Sequence, residues 1–210
     1  MDMEQTDQEQ VEQLQKWWRE NRLALLGGLV VGIGGLLGWE QFQNARSQGA
    51  MQASQAYEAV NQAISKADVQ AADAALEQLR NEHGQSVYVA HAHAARASLA
   101  ADNQNWEAAI DHLEQALASK PGKALEAVLS LRLARAQWAQ GDAQAALTTL
   151  DDAELPSSAS ALADELRGDI AYAQGDTETA RSAWESALAA GGQATAGAIS
   201  NKLARLGSKS

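Results

Sequence analysis

The sequence predicts an all-α protein in two parts: a single transmembrane helix followed by a solenoid of helical hairpins. Three observations support this prediction. Only 5% of the 210 residues are aromatic although 46% are hydrophobic, and proline occurs twice, so the chain is rich in residues such as alanine and leucine that favour helices. Residues 23–39 carry no charge. Beyond them, a short motif returns at intervals of 34 to 37 residues.

The charge and the cysteine content of the chain exclude several classes of protein. Sixteen lysines and arginines against 27 acidic residues give a net charge of −11, whereas a nucleic-acid binder needs a basic surface to meet phosphates. Cysteine is absent, which removes disulfides, thiolate nucleophiles and cysteine metal ligands together.

The uncharged run from Leu23 to Trp39 predicts the transmembrane helix. Its 17 residues correspond to about 25 Å of helix, at the short end of what crosses a bilayer core. Trp17 and Trp18 precede the run and Trp39 ends it, as expected for an aromatic interface belt. Two alternatives remain: a cleavable signal peptide, which calls for a shorter run and a small-residue cleavage site, and a buried core helix, in which six glycines would be unfavourable.

The positive residues beside the run predict its orientation. Lys16, Arg19 and Arg22 lie just before it, and only Arg46 lies within the next twenty residues. Because lysine and arginine stay on the cytoplasmic side, the N-terminus is expected in the cytoplasm and the remainder, in a bacterium, in the periplasm. The expected divisions are a cytoplasmic tail (1–22), the transmembrane helix (23–39) and a periplasmic repeat domain (40–210).

Glycines within the run share a helix face. Gly28, Gly32 and Gly35, here called the glycine face, follow the spacing that brings residues to one side of a helix, and Gly34 with Gly38 forms a second pair. Such faces let another membrane helix approach closely, so the expected partner is either a second copy of this chain or another membrane protein. Glycine is also simply frequent in membrane helices.

The second part of the chain repeats. Segments 104–110, 141–147 and 175–181 align, and the last two begin with Gly-Asp, a turn residue followed by a helix N-cap. A period of 34 residues is the length of a tetratricopeptide repeat, which is a pair of antiparallel helices. A weaker fourth copy places Ala75 34 residues before Ala109. The interval from Ala109 to Ala146 is three residues longer, and these residues are expected in the loop 119–122. The predicted repeat framework is Ala109, Gly141, Asp142, Ala146, Gly175, Asp176, Ala180 and Trp184.

The same periodicity places the helices of the repeat domain. Alanine at the framework positions is expected where the helices of a pair approach closely, with larger residues such as Trp184 beside it. The predicted helices cover residues 47–66, 68–82, 86–101, 105–118, 123–140, 143–152, 158–174, 177–189 and 194–206.

No catalytic, cofactor-binding or metal-binding motif occurs in the sequence. His91 and His93 are two residues apart, so on a helix they point in different directions and cannot share a metal ion. Arg167-Gly168-Asp169 resembles an adhesion tripeptide but falls within a predicted helix. The residues therefore predict a membrane-anchored, non-enzymatic protein-interaction domain without a cofactor, since stacked helical hairpins form binding surfaces.

Several segments resemble the YfgM family. They are Gln10-Val11-Glu12, Trp17 to Asn21, the glycine-rich run ending in Gly38-Trp39, Leu131 to Arg135, and Gly175-Asp176 with Ala180 to Glu185. The resemblance covers the anchor and the second half well and residues 47–100 loosely.

The resemblance implies an ancillary subunit of the bacterial Sec translocon in the inner membrane, with a cytoplasmic N-terminus and a periplasmic tetratricopeptide-like domain. Its implied partners are the SecYEG channel and the periplasmic chaperone PpiD, and its implied role is to help hand over translocated proteins. A scaffold or chaperone for another envelope complex, and a membrane-anchored enzyme, are the alternatives.

Overall fold

The computed structural model describes residues 2–191 and 193–207, and within these ranges every regular element is an α-helix. The all-α prediction is confirmed. The helices are α1 (Asp2–Ser65), α2 (Val69–His83), α3 (Val87–Asp102), α4 (Trp106–Ala118), α5 (Lys123–Gln140), α6 (Ala143–Asp152), α7 (Ser157–Ala173), α8 (Thr177–Gly191) and α9 (Gln193–Gly207). From α2 onward, each predicted helix end lies within two residues of the observed one.

The chain divides into two compact units between Met51 and Gln52. In the first unit α1 carries the apolar run, whose described side chains are exposed. Among the described residues no single helix is long and apolar enough to qualify as a membrane span. Two parts of α1, Leu14–Ala24 and Leu26–Ser65, qualify when taken together across a bend of 43°. The transmembrane helix therefore stays a prediction.

Within the second unit, one turn geometry recurs four times. Each turn has a residue with positive φ followed by an Asp or Asn N-cap, and the N-cap amide donates to a carbonyl five residues earlier at 2.9–3.0 Å. Each N-cap side chain then accepts from the amide three residues later, at 2.9–3.1 Å. These bonds satisfy carbonyls at one helix end and amides at the next. The four pairs are Ala67-Asp68, Gln104-Asn105, Gly141-Asp142 and Gly175-Asp176.

The first of these turns corrects the register of the weakest repeat. The turn at Ala67-Asp68 makes Ala72, four residues beyond its N-cap, the equivalent of Ala109. The alignment of the repeats within the sequence instead makes Ala75 the equivalent of Ala109. Ala72 is fully buried and Ala75 is only partly so. The alignment missed the turn because an alanine, with φ of 54°, stands where later copies have glycine.

The extra length of the long repeat is also not where the sequence suggested. The loops after α4 and α6, residues 119–122 and 153–156, are equally long. Helix α4 instead has 13 residues and α6 has 10. The three additional residues thus add about one helical turn, so the expected loop insertion was wrong.

The core of the second unit is a chain of four apolar clusters. The first joins the end of α1 to α2 and α3, the second joins α3, α4 and α5, the third joins α5, α6 and α7, and the last joins α7, α8 and α9. Successive clusters share a helix, so each hairpin is stabilised mainly by its neighbours, as in repeat proteins generally. The first helices of successive hairpins, α3, α5 and α7, provide the walls of the site described next.

Candidate interaction groove

An open groove of about 520 Å³ lies between the first helices of three successive hairpins. Its walls come from α3, α4, α5 and α7, and most of its lining is apolar. Small side chains such as Ala97, Ala101 and Ala139 leave room between the helices, because a larger residue at any of these positions would fill the space. The groove is therefore a consequence of the alanine-rich composition of these helices.

Two tryptophans form the large apolar surfaces of the groove. Trp106 opens α4, directly after the N-cap Asn105, and Trp138 lies near the end of α5, three residues before Gly141. Both are half-buried, so each ring packs on the core with one side and faces the groove with another. The two turns of the repeat thus fix the positions of both rings.

Two arginines on α5 supply the positive charge of the groove. Arg132 and Arg135, here called the groove arginines, both line it and both are exposed. Neither guanidinium has a hydrogen-bond or ion-pair partner among the residues that the structure describes. Residues three apart lie on the same side of a helix, so the two groups present their donors to the same space.

Asp169 of α7 also lines the groove, but its carboxylate is already engaged. Lys202 of α9 donates to both of its oxygens, at 2.7 and 2.8 Å, and Trp184 Nε1 donates to Oδ1 at 3.0 Å. Lys202 also donates to Glu165 at 2.7 Å. Burial alone would lower the pKa of Lys202, but these hydrogen bonds raise it above its usual value. The lysine therefore stays charged and holds Asp169.

A smaller cavity of about 250 Å³ continues from the groove towards α9. It shares Trp138 and Asp169 with the groove and adds Tyr172 and Trp184, whose ring centroids are 5.6 Å apart. Gly168 allows the Trp184 ring to lie directly against α7, because a Cβ at this position would overlap the indole. The tripeptide Arg167-Gly168-Asp169 is thus part of the contact between α7 and α8.

Two of the histidines face each other between α3 and α4. His93 of α3 and His112 of α4 place their Nδ1 atoms 3.1 Å apart, away from the groove, and Arg96 beside them pairs with Asp73 at 2.6 Å. Burial, with the neighbouring His112, lowers the pKa of His93 to about 4, and burial also lowers the pKa of His112. In the part of the chain described here, no cluster of three potential ligands could hold a metal ion.

The residues singled out from the sequence lie in three places. The framework residues Ala109, Ala146, Ala180 and Trp184 are buried between paired helices, and the Gly-Asp pairs form turns. At the glycine face an added Cβ would meet no atom within 4 Å, so the face is open in the single chain. The belt tryptophans Trp17, Trp18 and Trp39 are 50–62% exposed. None of these residues except Ala109 lines the groove.

Sequence reasoning missed the groove arginines. The signal available was the stretch Leu131-Arg132-Leu133-Ala134-Arg135, in which two charges interrupt an otherwise apolar run. Their role depends on α3 and α7 enclosing the same space, which the sequence of α5 does not show.

Comparison with known proteins assigns the family. The family model of a tetratricopeptide repeat-like domain matches residues 15–208. A protein of Escherichia coli (strain K12) named "Ancillary SecYEG translocon subunit" is 35% identical over 188 residues, which cover 90% of each chain. A protein of the same name from Haemophilus influenzae is 30% identical over 187 residues, covering 89% of this chain and 91% of that protein. The present chain belongs to the YfgM family.

The match to YfgM family members extends over nearly the whole chain, including the segment 47–100 in which the resemblance was loose. A third relative, from Aggregatibacter actinomycetemcomitans and of the same name, is 30% identical over 197 residues, or 94% of this chain and 93% of that protein. The tetratricopeptide-like domain inferred from the 34-residue period is therefore confirmed. Domains of this repeat type are in general non-catalytic.

Proposed function

We propose that this chain is a non-enzymatic interaction subunit of the Sec machinery in the bacterial inner membrane. The observation that carries the proposal is the shared name of its relatives, ancillary subunits of the SecYEG translocon, which match about nine-tenths of the chain. The open groove supports it, because a surface lined by tryptophan and unpaired arginine is suited to binding protein rather than to catalysis.

The proposed arrangement is a cytoplasmic tail (1–22), a transmembrane helix (23–39) and a periplasmic repeat domain (40–210). The tryptophan belt, the basic residues before the run and its lack of charge support this arrangement. A periplasm-active reporter should be active when fused after residue 210 and inactive when fused near residue 10. Activity only at the N-terminal fusion would contradict the orientation.

The proposed role is to assist the hand-over of translocated proteins to periplasmic folding factors, with SecYEG and PpiD as partners. The test is recovery of the full-length chain from mild detergent, followed by identification of the proteins that accompany it. Subunits of the SecYEG channel and PpiD are expected at levels above those in a control that carries an unrelated membrane protein with the same tag.

The same experiment separates the alternative, a scaffold for another envelope complex. Recovery of cell-division or outer-membrane-assembly proteins without translocon subunits would favour that alternative and contradict the proposal. A hybrid in which an unrelated membrane span replaces residues 23–39 then tells whether the span or the repeat domain carries the association.

A further inference from the structure

We propose that the groove binds an extended segment of unfolded polypeptide in which bulky apolar side chains flank one aspartate or glutamate. The proposal deepens the proposed function and rests on it, because a subunit beside a translocon meets chains before they fold. It is carried by the groove's charge, its aromatic surfaces and its size.

Cations in the second unit differ in whether an acidic side chain holds them. Most of the cations that pack near the core are engaged: Arg96 with Asp73, Arg167 with Asp151 and Asp164, and Lys202 with Glu165 and Asp169. The groove arginines have no such partner among the described residues, and they are exposed beside an apolar surface in a chain whose net charge is −11. No acidic side chain of the protein holds these two guanidiniums, so both are accessible to a ligand that enters the groove.

The chemistry of that partner follows from the guanidinium group. Its planar set of N–H donors matches a carboxylate with two parallel hydrogen bonds, which a neutral amide cannot reproduce. The groove arginines are three residues apart on α5, so one carboxylate between them would accept from both or from one with two bonds. An acidic side chain of the bound segment is the group that satisfies them.

The acids of the groove limit how much negative charge the segment carries. Asp169 does not compete for the groove arginines, because Lys202 and Trp184 hold it. Asp102, the other acid in the lining, has no partner among the described residues and repels a second carboxylate. A segment with one acid therefore fits better than a run of acids.

The remaining surface selects apolar side chains. Trp106 and Trp138 present ring surfaces beside the arginines, and tryptophan and arginine are the residue types that most often dominate binding energy at protein interfaces. A volume of about 520 Å³ is within the range of small-ligand sites, so only a few residues of a chain are held at once. Because the groove is open, an extended chain can lie along it while the rest of that chain continues beyond the groove.

The experiment measures binding of labelled peptides to the full-length protein in detergent by fluorescence anisotropy. The reference peptide has about ten residues, blocked ends, two leucines and one glutamate. Matched peptides replace the glutamate by glutamine, replace the leucines by serines, or carry glutamine together with a free C-terminal carboxylate. Loss of the glutamate is expected to weaken binding about tenfold, as charge-assisted hydrogen bonds generally do.

The protein variant is Arg132→Gln with Arg135→Gln. Its charge-matched control is Lys120→Gln with Arg181→Gln, two exposed sites outside the groove. The groove variant should bind the glutamate peptide about tenfold more weakly than the unmodified protein and should no longer distinguish glutamate from glutamine. The control should behave as the unmodified protein does.

Equal affinity of the unmodified protein for the glutamate and glutamine peptides would overturn the proposal, and this comparison needs no variant to fold. Equal affinity for the glutamate peptide and for the peptide with a free C-terminus would also overturn it, because the groove would then recognise chain ends. Recovery of translocon subunits with the groove variant is measured in parallel. If it is unchanged while the peptide results fail, the proposed function stands and only the groove assignment falls.

Discussion

Replacing glycine by alanine should have opposite effects in two helices of this protein. Gly168 of α7 faces the Trp184 ring, and a Cβ there would approach Cδ1 and Nε1 more closely than real Cβ atoms do. Gly197 of α9 is exposed, and its Cβ would meet nothing within 4 Å. In a helix interior, alanine is favoured over glycine by about 1 kcal/mol when no contact intervenes. Gly197→Ala should therefore stabilise the protein by up to about 1 kcal/mol.

At Gly168 the packing outweighs that gain. Trp184 is 2% exposed, so the ring has nowhere to move without disturbing α8. Overpacking of this kind is unfavourable by about 1–3 kcal/mol, and loss of the hydrogen bond from Trp184 to Asp169 would add about 1 kcal/mol. After the gain from helix propensity, Gly168→Ala should lower the free energy of unfolding by about 1–3 kcal/mol.

Urea denaturation of the full-length chain in detergent, followed by far-ultraviolet circular dichroism, measures both effects. For a domain of this size, each kcal/mol also shifts the melting temperature by roughly 2–4 °C. Near-ultraviolet dichroism should change for Gly168→Ala, because the environment of the Trp184 indole changes, and should stay the same for Gly197→Ala. If both substitutions stabilise the protein, the close contact between α7 and α8 is not as described.

Three further predictions follow from other parts of the molecule. Ala72→Leu should destabilise by about 1–3 kcal/mol through overpacking while Ala74→Leu, exposed on the same helix, should have little effect; equal urea midpoints would contradict the corrected register. Burial lowers the pKa of His93 to about 4, below its unfolded value of about 6.5. The contribution of the neutral imidazole to the free energy of unfolding is therefore fully present above pH 6.5 and is lost as the pH falls towards 4. The decline in urea midpoint over that range should be shallower in His93→Gln. Leucine at two positions of the glycine face should preserve membrane insertion but reduce recovery of the membrane partner in mild detergent, whereas exchange of Leu36 and Leu37 for isoleucine should not; undiminished recovery would mean that the repeat domain makes the contact.

The sequence was sufficient to predict the helices of the repeat domain because turn and N-cap residues mark where these helices begin and end. The end of one helix and the beginning of the next are both marked by the pairs Gly141-Asp142 and Gly175-Asp176. Ala67 and Gln104 adopt the same left-handed conformation without glycine, with φ of 54° and 59°. In those copies the N-cap alone carries the signal, and an alignment guided by Gly-Asp consequently slipped by three residues at the first repeat.

The groove could not be derived in the same way. Helix α5 buries residues on several sides, including Leu129, Leu131 and Leu133, so its sequence has no single apolar stripe that would mark the remaining face. Which side of α5 is left open depends on where α3 and α7 pack. Local patterns determine the helices, whereas the site depends on contacts between residues far apart in the chain.

The contact that stabilises the last hairpin also determines the charge of the groove. Trp184 can donate to Asp169 only because Gly168 leaves space for its ring, and Lys202 on α9 completes the neutralisation of that carboxylate. Without these partners Asp169, which lines the same space, would be available to the groove arginines and would compete with an acidic ligand. Packing at the end of the solenoid therefore holds a carboxylate that lines the groove, and we expect substitutions at Gly168 or Lys202 to change peptide binding as well as stability.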